Sequence, residues 1–179
     1  VGHYAMWANT TANGNIAIGP YALKVNTTGA NNTAVGNWSL RYNTTGAENV
    51  AVGKSALYAN TTASYNTALG RQALAAATTG GYNVAVGDSA LDANTTGTTN
   101  IAIGSNALGA NTTTAGNTAV GKSALLAATA ANNTAIGSDC LDANTTGTAN
   151  VGLGVHSLGA VTTGSYNTGL GAYAGDAIT

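Results

Sequence analysis

An aliphatic residue followed by glycine returns along the chain on a fixed beat. The pairs end at Gly19, Gly36, Gly53, Gly70, Gly87, Gly104, Gly121, Gly137, Gly154 and Gly171, spaced by 17 residues except for 16 between Gly121 and Gly137. Gly2 marks a truncated copy ahead of them. Counted from the Asn four residues before each of these glycines, the consensus is N-x-A-φ-G-x-x-A-L-x-x-N-T-T-G-x-x, where φ is Val, Ile or Leu. A unit this short cannot bury an apolar face alone, so the repeats must stack into a continuous core.

The N-x-A-φ-G segment predicts a short strand, in which alternate residues share a face. Positions two and four are expected inward, and Asn and Ala outward. The core is then expected from position four (Ile18 through Leu170) together with the Leu of position nine (Leu23 through Leu158). The A-L-x-x stretch is expected as a second strand or extended segment. N-T-T-G has turn chemistry, with Asn suited to left-handed geometry and Gly to positive φ, and the Gly of position five marks the other corner. Two glycines and a Thr pair in most repeats argue against helix. The predicted fold class is an all-β parallel β-solenoid of 17-residue coils, covering 1-179 as a single array. At the usual strand spacing, ten coils make a rod on the order of 50 Å long.

Position one is Asn in every full copy: Asn15, Asn32, Asn49, Asn66, Asn83, Asn100, Asn117, Asn133, Asn150 and Asn167. Stacked coils would align these side chains as an amide ladder, a structural role that accounts for the whole column.

Composition narrows the function classes. Only 6% of residues are charged, against about 25% in ordinary soluble proteins, yet the regular aliphatic columns are unlike a disordered chain. Five basic residues scattered along the array do not form the clustered patch that a nucleic-acid binder needs. No apolar run is long enough for membrane insertion in this segment. The lone Cys140 allows no internal disulfide and reads as a small buried thiol. The chain starts inside a repeat, at Val-Gly-His-Tyr, so a longer fibre is expected around it.

No motif points to catalysis, a metal or a cofactor. His3 and His156 are far apart and lack partners at metal-ligand spacing. The acids Glu48, Asp88, Asp92, Asp139, Asp142 and Asp176 include close pairs but no accompanying nucleophile. The informative irregularity is aromatic: position seven reads Tyr4, Tyr21, Trp38 in three consecutive copies, with Trp7, Tyr42 and Tyr58 nearby. Such a column could stack against glycan rings, or could simply be a stabilising ladder or contact surface. Tyr65, Tyr82 and Tyr166 precede the repeat Asn and are expected to pack over the coil edge. The sequons at Asn26, Asn43, Asn60, Asn94, Asn111 and Asn144 arise automatically from the N-T-T turns.

The N-[TVI]-A-[VIL]-G strand followed by A-L-x-x-N-T-T-G resembles the head repeats of YadA-like trimeric autotransporter adhesins, and the similar arrays of bacteriophage tail-fibre proteins. The resemblance runs from Val1 to about Ala174. It implies a left-handed parallel β-roll, a homotrimer, an extracellular place on a virion tail fibre or bacterial surface, and attachment to a host-surface glycan or protein receptor. The Ala column (Ala17, Ala34, Ala51, Ala68, Ala85, Ala102, Ala119, Ala135, then Gly152 and Gly169) fits a trimer if its small side chains face neighbouring chains. The repeat is longer than that of adhesin heads, and neither an anchor nor a chaperone segment is present in this stretch.

Two other classes compete. An ice-binding β-solenoid is suggested by the Thr columns from Thr27/Thr28 to Thr162/Thr163, although adjacent Thr residues on a strand point to opposite faces. A polysaccharide depolymerase would need carboxylates clustered in a groove, and the sequence has no such cluster.

Overall fold

The computed structural model describes residues 1–176. Each full repeat supplies one three-residue strand: β1 (Ile16–Ile18), β2 (Thr33–Val35), β3 (Val50–Val52), β4 (Thr67–Leu69), β5 (Val84–Val86), β6 (Ile101–Ile103), β7 (Thr118–Val120), β8 (Thr134–Ile136), β9 (Val151–Leu153) and β10 (Thr168–Leu170). They pair in parallel and in chain order as one ten-stranded sheet. Every residue sits opposite its repeat equivalent, as Ala85 does opposite Ala102. The protein is an all-β parallel β-solenoid with one coil per repeat.

The short repeat leaves this register intact, with Thr118 opposite Thr134. The Asn117 side chain donates to the carbonyl of Ala130, 13 residues on, where Asn32 reaches Gly46, 14 residues on. The missing residue is therefore absorbed in the turn between Asn117 and Asn133.

The strand faces are the reverse of the sequence expectation. The middle residue of every strand is buried and its two neighbours are more exposed. Ala34, Ala51, Ala68, Ala85, Ala102, Ala119 and Ala135 are fully buried, whereas Ile16 and Ile18 are 52% and 49% exposed. The apolar core is built from the Ala of position three, the small residue of position eight and the Leu of position nine, joined at three coils by Ala77, Ala128 and Val161 of position twelve. The position-four column lies outside it. The cause is the narrowness of the coil. A β-carbon added at Gly152 would lie 2.5 Å from Cys140 Sγ and 3.3 Å from Leu141 Cδ1, so the space opposite position three is already full. In coils whose position eight is Ala, the methyl of position three fits and is fully buried, as at Ala85 and Ala102, and a branched side chain there would overpack the coil.

The A-L-x-x stretch is a turn and not a second strand. Its Leu residues are left-handed, as Leu23 (φ 49°) and Leu91 (φ 53°) show, and so is position seven in every copy, for example Tyr21 (φ 60°) and Ser89 (φ 52°). Left-handed non-glycine residues are costly in isolation. Here they direct successive N–H groups to opposite neighbours. Tyr21 N donates back to His3 O at 2.8 Å, and Leu23 N donates forward to Ser39 O at 3.1 Å. The turn thus forms a hydrogen-bonded ladder of its own, which satisfies backbone groups that a buried irregular segment would leave orphaned.

The N-T-T-G segment also differs. Its Asn residues do not have positive φ, and neither do Gly29, Gly46, Gly97 and Gly147. Asn26 and Asn43 are fully buried. Gly29 is required by close approach: an added β-carbon would lie 2.7 Å from Asn26 Oδ1. The Gly of position five does form a positive-φ corner, for example Gly87 at 134°.

Candidate functional site

Two Asn columns run through the interior. In the first, each Oδ1 accepts the backbone N–H of the next repeat's Asn, as in Asn32 N to Asn15 Oδ1 (2.8 Å) and Asn167 N to Asn150 Oδ1 (2.9 Å). Each Nδ2 donates to a turn carbonyl, as Asn49 does to Ala63 O at 2.8 Å. The same pattern continues through Asn66, Asn83, Asn100, Asn117, Asn133 and Asn150. From Asn15 to Asn150 these side chains tie the strand entrance to the turn, with their amide groups engaged inside the solenoid.

The second column, at position twelve, was read from sequence only as turn residues. Asn43 Nδ2 donates to Asn26 Oδ1 at 2.7 Å, and Asn60 Nδ2 to Asn43 Oδ1 at 2.6 Å. The column breaks at Ala77, which leaves Asn60 Oδ1 buried without a partner. The sequon asparagines Asn26, Asn43, Asn60, Asn94, Asn111 and Asn144 belong to this column, and each is fully buried. Glycosylation there is incompatible with the coil.

The Thr of position thirteen donates its hydroxyl to the next coil, as Thr27 Oγ1 does to Thr44 O and Thr44 Oγ1 to Thr61 O, both at 3.0 Å. This column is bonded within the solenoid.

The titratable groups remain dispersed. Arg71 pairs with Asp88 at 2.7 Å, and His156 lies 4.0 Å from Asp139 and stacks on Tyr173. Burial raises the carboxyls of Asp92 and Asp142, and burial pushes the Cys140 thiol up to about 11. A thiol so protonated is inert near neutrality. Among the described residues, no group of three or more His, Cys, Asp or Glu could hold a metal, and no helix is long and apolar enough to cross a membrane.

The aromatic third is where exposed chemistry concentrates. Left-handed geometry at position seven displays Tyr4 and Tyr21, whose rings lie 5.6 Å apart. Trp7 meets the Tyr4 ring nearly edge-on at 6.1 Å. Trp38 does not extend this stack. Arg41 intervenes, with its guanidinium carbon 5.1 Å from the Tyr21 ring centre and 5.6 Å from that of Trp38. Arg41 also contacts Tyr42 and Tyr58. Lys24 Nζ stands 5.5 Å from both the Tyr4 and Tyr21 ring centres. A cavity of about 350 Å³ opens here, lined by Tyr4, Trp7, Tyr21, Lys24 and Arg41.

Lys24 and Arg41 were missed as site residues. Their signal was position ten, which reads Trp7, Lys24, Arg41, Tyr58 in the first four copies. By contrast, Tyr65 and Tyr82 stack on each other at 4.8 Å. With Tyr166 they are 54%, 62% and 83% exposed, so they project into solvent and do not cover the coil edge.

The strand exterior is the other unusual surface. Positions two and four of β1–β10 are Ile, Val, Leu or Thr without exception. Ile101 and Ile103 are 38% and 39% exposed, and Leu170 is 73% exposed. Against this chain no family model matches, nor does any curated protein or solved structure.

Proposed function

We propose that this solenoid is the shaft or head segment of an extracellular homotrimeric fibre, of the bacteriophage tail-fibre or bacterial adhesin kind, presenting a surface for attachment to a host or another cell. The observation that carries this reading is the uncharged strip along the outside of β1–β10. A continuous apolar face of that length marks an interaction surface.

A second copy of the chain suits this strip better than an unrelated partner. Its pitch and register repeat with every coil, so an identical chain offers matching rows of Val, Ile, Leu and Thr along the full length. Three chains around one axis cover all three strips and leave no edge for further addition, as closed cyclic assemblies do. The Ala column, now placed inside the coil, no longer supports the trimer. The exposed aliphatic column takes over that role.

The test is to place aspartate on the strip at Val86 and Ile103 and, as a control, at Ser89 beyond the glycine corner. The strip variants are expected to dissociate the assembly, whereas Ser89→Asp leaves it intact. Association unchanged by the strip variants contradicts the reading.

A further inference from the structure

We infer that the cavity at the aromatic end binds a carboxylated sugar ring, of the uronic or sialic acid class. The inference deepens the attachment reading above and rests on it.

The aromatic groups supply the ring-binding surface. Trp7 is 68% exposed and Tyr4 44% exposed, and their nearly perpendicular planes form two walls of the cavity. Large exposed rings of this kind suit a ligand with one apolar face and polar edges. The volume of about 350 Å³ lies at the small end of ligand-pocket sizes, which matches one sugar residue with its neighbours extending outside.

The cations supply the charge preference. Lys24 and Arg41 both border the cavity, and neither forms an ion pair among the described residues. Glu48 is the only acid in the first sixty residues, and it accepts from Asn31 Nδ2 at 2.8 Å. Arg41 Nε is buried and without a hydrogen-bond partner. The guanidinium and the ammonium are instead held over rings, flanking Tyr21. Two cations without counter-ions beside an open aromatic wall can receive a carboxylate by charge-assisted hydrogen bonds. A neutral sugar would leave both charges unused.

Polarity along the array agrees. Position ten is Lys24 and Arg41 near this end, and Asp92 and Asp142 farther along. The cavity also lies past the glycine corner that ends each strand, so covering the outer strand faces leaves positions seven and ten open.

The test compares binding of an oligogalacturonate with its fully methyl-esterified form, which keeps the rings and removes the charge. N-acetylneuraminic acid and an oligoglutamate peptide serve as further probes. The acidic saccharide is expected to bind at least tenfold more tightly than its ester, and Trp7→Ala and Lys24→Met are each expected to weaken it by about tenfold or more. Equal affinity for acid and ester, no saturable binding of either acidic sugar, or equal binding of the oligoglutamate overturns the inference. Mass in solution, read on the same samples, separates the two claims. A trimer without sugar binding overturns only the cavity's role, and a monomer that binds overturns only the assembly.

Discussion

Cys140 and Gly152 illustrate how closely single residues are matched in this coil. Position eight is Ala in most copies, but here it is Cys, and position three of the following coil is Gly where the earlier copies have Ala. The added β-carbon at Gly152 would lie 2.5 Å from the sulfur, so the larger side chain and the smaller one compensate. Gly152→Ala is expected to destabilise the protein by about 1–3 kcal/mol, the usual range for overpacking. Adding Cys140→Ala should recover most of that loss. Denaturant unfolding of the two single variants and the double variant measures the coupling, and strictly additive effects contradict the account. A second residue-scale case is Ala77, where the position-twelve ladder is interrupted before resuming at Asn94 and Asn111. Ala77→Asn would supply a donor to the unpartnered Asn60 Oδ1 and is expected to raise stability by about 1 kcal/mol. A lowered melting temperature would mean that the coil cannot house the larger side chain at that point.

At the scale of the element, the strand and its turns are governed by width. The repeat period, the strand position and the glycine corner were all legible, because each leaves a direct mark in the N-x-A-φ-G spacing. The direction of the strand faces was not. Alternation shows which residues share a face but not which face is inward, and here both sets contain apolar residues. Bulk suggested Ile18 and its equivalents for the core, but Leu23 and its equivalents already fill the coil, so only Ala17 and its equivalents fit. The left-handed turn was illegible for a related reason: Leu and Tyr have no preference for positive φ, and the neighbouring coils impose it. The aromatic site was half legible. Tyr4 and Tyr21 stood out by type, whereas Lys24 and Arg41 joined them only through the geometry of position ten. The inverted faces predict opposite outcomes at adjacent residues. Ala102→Val should destabilise each chain by about 1–3 kcal/mol, while Ile103→Thr should leave the fold of each chain intact and weaken association instead. Melting curves and association measurements on the pair distinguish them, and a tolerated Ala102→Val contradicts the narrow-coil account.

At the scale of the whole molecule, the stacked ladders explain how a chain with 6% charged residues and a core of Ala, Leu and Asn holds together. Each coil contacts only its neighbours, so stability accumulates as a sum of interfaces along the rod. What this arithmetic leaves over is the outer strip of β1–β10, apolar or Thr at every coil and covered by nothing among the described residues. The most direct measurement is the mass of the protein in solution by sedimentation equilibrium. A mass three times that of the 17.4 kDa chain is predicted across the concentration range. A stable monomer of that single-chain mass would contradict the fibre account.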